Sequence, residues 1–296
     1  MKMLVYGSLN IDHVYGLPHL VREGETITAV TYSKNAGGKG LNQSIALAKA
    51  GAEICMAGAI GADGLFLKEM LETSGVDTQY VSVLEGATGH AMIQVDEQAH
   101  NSIVLFPGAN HKIDRAMIES VLANFERGDY LSLQNEISGL ETLIELAHEK
   151  GMKIALNPSP ITPELLKAPI DKVDYLVLNE IEGGEFTGET EPEKVIDALI
   201  AKYPELHIVL TLGEKGSMYA YKDERIAQCA YPVKAVDTTA AGDTFTGYFL
   251  TAMMRGETVE RALKSAAMAS SIAVGRPGAG ASVPLREEVE AALEKL

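Results

Sequence analysis

Residues 235–254 read AVDTTAAGDTFTGYFLTAMM, and this stretch decides how the rest of the chain is read. It opens small and polar, with Asp237, Thr238 and Thr239, then Ala240, Ala241 and Gly242. From Asp243 onward the apolar residues Phe245, Phe249, Leu250 and Met253 fall at helical spacing. A Thr- and Gly-rich turn feeding such a run is a helix N-terminus. Its N–H groups lack partners within the helix, and its dipole is positive. An anion such as a phosphate is stabilised there. Asp243 alone would read as a cap carboxylate on a buried helix. The two alanines and Gly242 need a further reason, because small residues let a ligand approach the backbone closely. The stretch is therefore expected to be an anion site.

Working outward, strand-like and helical runs alternate. Strands are predicted at 3–9, 53–59, 130–133, 153–156, 175–178 and 208–212. Helices are predicted at 39–50, 65–74, 114–124, 139–150, 193–202, 242–255, 258–274 and 286–296. Gly51 and Gly75 stop the first two helices as C-caps. Such alternation implies an α/β fold with a mostly parallel sheet covered on both faces. Three runs break the rhythm. A strand at 26–32 lies between glycines, and 89–95 and 101–106 form a hairpin through Asp96-Glu97-Gln98-Ala99. Residues 12–35 and 86–107 are thus expected to form a small β-rich subdomain inserted in a single domain spanning 1–296. A second hairpin is predicted from 217–221 and 225–230.

The polar residues fall in a pattern. Asn10 and Asp12, Glu136, Asn157, Asn179 with Glu182, and Thr211 with Gly213 all sit at or just past the C-terminal end of a predicted strand. In open α/β sheets ligands bind along that edge. Each residue alone reads as a turn or cap; converging beside Asp243, they point to a site. Phosphoryl transfer suits these parts, since it asks for positioning, charge stabilisation and one base for the attacking hydroxyl. Asp243 supplies the carboxylate, and the amides of Ala240, Ala241 and Gly242 could hold charge on the transferred group. Gly37-Gly38-Lys39-Gly40 has the wrong spacing for a P-loop, and Gly7-Ser8-Leu9-Asn10 is not a dinucleotide fingerprint. The seven histidines show no metal-ligand spacing.

Composition narrows the partners. A net charge of -16 and a pI of about 4.9 argue against nucleic acid or an anionic membrane. Cys55 and Cys229 lie far apart in apolar settings and read as buried, reduced thiols. The N-terminus reaches Asn10 and Asp12 too soon for a secretory signal, and no uncharged apolar run is long enough to span a bilayer. A cytoplasmic location is expected.

Four blocks carry a family resemblance: SLNIDH at 8–13, GGKGLNQSIALAKAGA at 37–52, DTTAAGDTF at 237–245 and GAGASVP at 278–284. In this order, from one end of the chain to the other, they resemble the ribokinase (PfkB-type) family of carbohydrate kinases. The resemblance implies a three-layer α/β/α body with a β-sheet lid through which family members often dimerise. It implies transfer of the γ-phosphate of ATP to a primary hydroxyl of a sugar, with ribose, giving ribose 5-phosphate, as the first expectation. A nucleoside or ketose kinase of the same fold, or a non-catalytic sugar-binding protein, stays open. By the same resemblance Asp243 is the base, and Ala240, Ala241 and Gly242 form the anion hole. Asn10, Asp12, Gly38, Lys39, Asn42 and Glu136 hold the sugar. Asn179 and Glu182 match an N-x-x-E motif that orders magnesium through water, and Thr211, Gly213 and Gly216 match a nucleotide loop. Asp237, Thr239, Ala273, Arg276, Gly278 and Ser282 match a monovalent-cation site, with potassium as activator. Three positions depart from the family. Phe66 stands at the last Gly of G-x-D-x-x-G, Ala266-Ala267-Met268 replaces a polar ring near the adenine, and His90 occupies a lid position that is commonly aliphatic.

Overall fold

The computed structural model describes residues 1–98 and 100–296. Its first strand, β1 (Met3–Tyr6), is buried on both faces: Met3 and Val5 enter one core, Leu4 and Tyr6 the other. The chain continues through β2 (Asn10–Gly16), β3 (Thr31–Gly37), α1 (Lys39–Lys49), β4 (Ile54–Ile60), α2 (Leu65–Thr73) and β5 (Asp77–Val83). Then come β6 (Gly89–Val95), β7 (Asn101–Phe106), α3 (Arg115–Leu122), β8 (Tyr130–Gln134), α4 (Leu140–Lys150) and β9 (Lys153–Asn157). The last part holds β10 (Tyr175–Asn179), α5 (Glu180–Thr187), α6 (Pro192–Lys202), β11 (His207–Thr211), β12 (Ser217–Tyr221) and β13 (Glu224–Gln228). Helices α7 (Ala241–Met254), α8 (Val259–Val274) and α9 (Arg286–Leu293) close the chain.

The main sheet has nine strands in the order β13-β12-β11-β10-β9-β8-β1-β4-β5. It is parallel from β5 to β11, and β12 and β13 add an antiparallel edge. Strands buried on both faces read as near-continuous apolar runs, as β1 and β10 do. One layer of helices packs through Leu41, Leu71, Phe249, Leu263 and Val289, the other through Ile118, Leu143 and Ile196. Helix α7 is buried without interruption from Asp243 to Ala252, which suits its apolar composition all round. It lies so close to α1 that a Cβ on Gly247 would sit 2.5 Å from the Ala46 side chain and 2.9 Å from its backbone. The far ends of the two helices are tied as well, because Arg255 Nη2 donates to the carbonyls of Ala50 (2.8 Å) and Gly51 (2.9 Å).

A second sheet has the order β3-β2-β6-β7. Strand β2 pairs antiparallel with β3 and parallel with β6, and β7 folds back on β6. Ile103, Val104, Leu105 and Phe106 are each about half exposed, although they alternate between the two faces. Strand β7 is therefore bare on both faces. Ala99, in the expected hairpin turn, lies outside the described residues.

Several expectations need correction. The first strand ends at Tyr6 rather than residue 9, and the strand predicted at 26–32 forms instead at Thr31–Gly37. Thr31–Gly37 carries little apolar pattern of its own and is mostly exposed, so pairing with β2 defines it. Strand β5 and helix α5 were not anticipated. The first is an edge strand of mixed pattern, DTQYVSV. The second carries two glycines, which disfavour a helix, and is held by a capping box between Asn179 and Glu182. Cys55 is half-buried but Cys229 is exposed, contrary to expectation, and both are free thiols. No helix among the described residues is long and apolar enough to cross a membrane.

Candidate active site

From β1 the chain builds the sheet toward β4 and β5, whereas from β8 it builds the other way. The carboxyl ends of β1 and β8 therefore flank the switch point where a crevice opens. Ser8, just past β1, donates its hydroxyl to Oε2 of Glu136, just past β8. The same oxygen accepts the Lys39 N–H at 3.2 Å, and Ser8 Oγ accepts the Gly40 N–H at 3.3 Å. So close an approach requires glycine: a Cβ on Gly40 would lie 2.5 Å from the Ser8 nitrogen.

The sugar-binding residues expected from sequence gather here. Asn10 opens β2, and its Oδ1 accepts from Asn110 Nδ2 at 2.8 Å. Asp12 follows on the same face of β2, and burial, then the charge of Glu136, pushes its carboxyl up to about 6. Burial likewise raises Glu136 above the ordinary carboxylate range, against the hydrogen bond from Ser8 and the charge of Lys39. Burial would lower the Lys39 ammonium, but the carboxylates of Asp243, Glu136 and Glu182 outweigh it and hold the group above its usual value. Gly38 is the N-cap of α1, with φ 95°.

At the start of α7, Ala240 takes left-handed angles (φ 59°, ψ 15°), rare for a residue with a side chain. The Ala241 N–H, expected in the anion hole, donates to the Thr238 carbonyl at 3.2 Å. Helical bonding begins with Thr244 N–H to the Ala240 carbonyl at 2.9 Å. Between them, the N–H groups of Gly242 and Asp243 belong to the first turn and have no acceptor within the helix. Asp243 is only 8% exposed. Asn42 Nδ2 donates to its Oδ2 at 3.2 Å, and Gln43 Nε2 to its Oδ1 at 3.0 Å. The Asn42 Oδ1 is buried and has no partner among the described residues.

Two cavities meet at this helix start and share Thr211, Thr238, Ala241 and Gly242. The smaller, of about 180 Å³, is also lined by Lys39, Asn157, Asn179, Glu182 and Asp243. Asn179 and Glu182 each spend one polar atom on the capping box, at 2.8 and 3.0 Å. The larger, of about 540 Å³, runs past Gly213, Gly216, Tyr231, Pro232 and Val233. Of the expected apolar wall only Ala267 lines it; Ser270 and Ser271, one turn on, bring hydroxyls. Among the described residues no three His, Cys, Asp or Glu side chains cluster to hold a metal.

The other positions singled out in the sequence separate clearly. Asp237 ties its loop to the last segment, accepting from Thr239 N (2.9 Å) and Gly278 N (2.9 Å). Burial would raise its carboxyl, but these donors hold it below the ordinary range. The Ala273 carbonyl accepts from Arg276 N at 2.9 Å, the Arg276 guanidinium turns away to Glu288 at 2.6 Å, and Ser282 Oγ donates to the Ala279 carbonyl at 2.7 Å. His90 pairs in register with Ile11, whereas Asp12 pairs with Ala91, so the two lie on opposite faces of the small sheet. There His90 packs against His13 and Phe106. Phe66 sits in the first turn of α2 under the Lys34 ammonium, 4.4 Å from its ring centre.

Sequence reasoning missed Ser8, Gln43, Asn110, Ser132 and Gln134. Ser132 and Gln134 did leave a signal: in YLSLQ they alternate with leucines in a strand buried on both faces, where polar side chains need partners. Ser132 Oγ (3.1 Å) and Gln134 Nε2 (2.7 Å) both donate to Gln43 Oε1.

Known proteins share this chain's sequence and fold. The profile of pfkB family carbohydrate kinases matches residues 1–286. The chain is 35% identical to the ribokinase of Haemophilus influenzae over 305 residues, covering 99% of this chain and 98% of the relative. It is 32% identical to a deoxyribokinase of Salmonella typhi over 301 residues, covering 97% of both. Among solved structures, a ribokinase of Arabidopsis thaliana complexed with ribose and ATP superposes with a TM-score of 0.88 at 34% identity, over 99% of this chain and 98% of that one. With a matching profile over nearly its whole length, the chain belongs to the pfkB family of carbohydrate kinases, phosphotransferases that act on a sugar hydroxyl.

Proposed function

We propose that this enzyme transfers the γ-phosphoryl group of ATP to the primary hydroxyl of ribose, giving ribose 5-phosphate. The observation that carries the reading is Asp243, buried in the wall of the smaller cavity next to the residues that it shares with the larger, its carboxylate held by Asn42 and Gln43. In this reading the larger cavity takes the nucleotide, with Thr211, Gly213 and Gly216 beside it. The sugar lies against Asn10, Asp12, Gly38, Lys39, Asn42 and Glu136, where carboxylates and amides accept and donate to vicinal hydroxyls. Asp243 takes the proton as the hydroxyl attacks. The first-turn amides at Gly242, the helix dipole and the Lys39 ammonium oppose the negative charge that spreads over the transferred group.

Magnesium would be carried mainly by the phosphates, neutralising their charge, with Asn179 and Glu182 reaching its water shell. The loop of Asp237, Thr239, Ala273, Arg276, Gly278 and Ser282 fits a monovalent cation. It offers backbone carbonyls and one ionised carboxylate, and the Arg276 guanidinium is drawn off to Glu288. The bare apolar strand β7 supports a homodimer through the small sheet, acting as a lid over the sugar. Two free cysteines suit a reducing cytoplasm.

The Salmonella typhi deoxyribokinase favours a second acceptor, deoxyribose, over a sugar of another class. The test is ADP release with ribose, deoxyribose, fructose and a set of nucleosides. Ribose is expected to give the highest kcat/KM. A higher value for a nucleoside would overturn the acceptor while leaving the chemistry, and no acceptor-dependent turnover would favour a sugar-binding protein. Asp243→Asn should abolish turnover and retain sugar binding.

A further inference from the structure

We infer that Gln43 is the positioning residue that holds the Asp243 carboxylate in its working orientation, through a buried amide chain anchored on β8. An ionised carboxylate only accepts hydrogen bonds, so Gln43 must turn its NH2 group toward Asp243. Its other end accepts two donors, Gln134 Nε2 at 2.7 Å and Ser132 Oγ at 3.1 Å, and the reverse orientation would set donor against donor. All three links are withdrawn from solvent: Gln43 and Ser132 are 1% exposed and Gln134 is fully buried.

A chain of three polar side chains in a dry core is costly unless fully satisfied, and Gln134 Oε1 has no partner among the described residues. Leucine or methionine would fill the same space at lower cost, so packing does not account for these residues. The neighbouring donor, Asn42, cannot serve alone. It lies with the residues assigned to the sugar, so a bound sugar competes for its hold on Asp243. Gln43 lies behind the carboxylate and keeps its bond whether or not sugar is present. The chain also runs to β8, and two residues past Gln134 stands Glu136. The base, through Gln43, and a carboxylate assigned to the sugar are thus both tied to β8.

This inference rests on Asp243 being the base, so the variants Gln43→Met and Asp243→Asn are measured together. Hydrogen bonds from amide donors favour the ionised form of a carboxylate. Gln43→Met is expected to lower kcat about ten- to hundredfold, the range for losing a hydrogen bond to a charged group, with KM for both substrates unchanged. The other charged groups facing this carboxylate are Lys39 from α1, Glu136 from beyond β8 and Glu182 from α5, with Asp12 of β2 behind Glu136. All are intact in the variant. An unmoved kcat, or a change confined to KM, overturns the role of Gln43 if Asp243→Asn is inactive. Full turnover in Asp243→Asn overturns the base itself. Should Gln43→Met not fold, Ser132→Ala removes one anchor from Gln43 and should lower kcat in the same way but less; unchanged kcat there also overturns the inference.

Discussion

The carboxyls of Asp12, on β2, and Glu136, beyond β8, repel each other across the seam where the small sheet meets the large one. Burial and this repulsion lift Asp12 from the ordinary 3.8 to about 6. A folded-state value above the unfolded one means that the folded chain binds the extra proton between pH 4 and 6. Stability is therefore lost as pH rises through that window. At pH 7 the ionised Asp12 costs the ligand-free protein about 1–2 kcal/mol, after allowing for partial exposure.

Asp12→Asn should accordingly raise the Tm of the ligand-free protein at pH 7 and leave it nearly unchanged at pH 4. The same variant should weaken sugar binding, because a carboxylate acceptor is lost. Wild-type KM for the sugar should rise as pH falls below about 6, and the variant should lack that rise. Thermal melts and sugar titrations at several pH values check all three.

Lys39 is held above its usual range by Asp243, Glu136 and Glu182, so its charge stabilises the fold throughout the neutral range and is lost only above the unfolded lysine value. Lys39→Met should lower kcat/KM by roughly 10²–10³, the cost of removing one charge-stabilising donor. It should also lower the Tm at pH 8 more than at pH 5, where the raised carboxyls begin to protonate and repel less. Equal losses at both pH values would show that packing, not charge, is at stake.

Gly247 sets the spacing of α1 and α7. Alanine favours a helix over glycine by about 1 kcal/mol. Here its Cβ would meet Ala46 at 2.5 Å and the Leu47 nitrogen at 2.9 Å. Separating two packed helices costs about 1–3 kcal/mol, so the clash wins and Gly247→Ala should lower the Tm. It should also lower kcat, since Asn42 and Gln43 ride on α1 and reach Asp243 on α7. Alanine at Gly242, where a Cβ would meet nothing within 4 Å, is the stability control.

Turnover in potassium should exceed that in sodium-only buffer at equal ionic strength. Asp237→Ala should remove the difference, since it takes away the one carboxylate of the loop and frees Thr239 and Gly278. Equal rates in both salts for the wild type would dismiss the cation site.

Much of this protein can be read from local pattern. Long periodic runs mark α1, α4, α7 and α8, and the hairpin of β6 and β7 is plain from two alternating stretches. The edge rule picks out Asn157, Asn179 and Thr211, all of which line the smaller cavity. What escapes is whatever depends on a partner distant in the chain. Strand β3 has no pattern without β2, and α5 owes its existence to a capping box over a glycine-bearing segment. Ser8 meets Glu136 across 128 residues and Asn42 meets Asp243 across 201, beyond any window of helical or strand spacing. His90 shows the opposite hazard. It departs from the family's aliphatic residue in the lid, yet strand parity puts it on the other face from Asp12.

Helices α1 and α7 are fastened at both ends, by Asn42 and Gln43 on Asp243 and by Arg255 on the carbonyls of Ala50 and Gly51 just past α1. Asn10 and Asp12 sit on the other structure, the small sheet, joined to this clamp through Gly38. Substitutions in β2, β3, β6 and β7 can retune which alcohol is accepted while the phosphate machinery stays untouched. A lineage built this way can diversify its substrates without reinventing its chemistry.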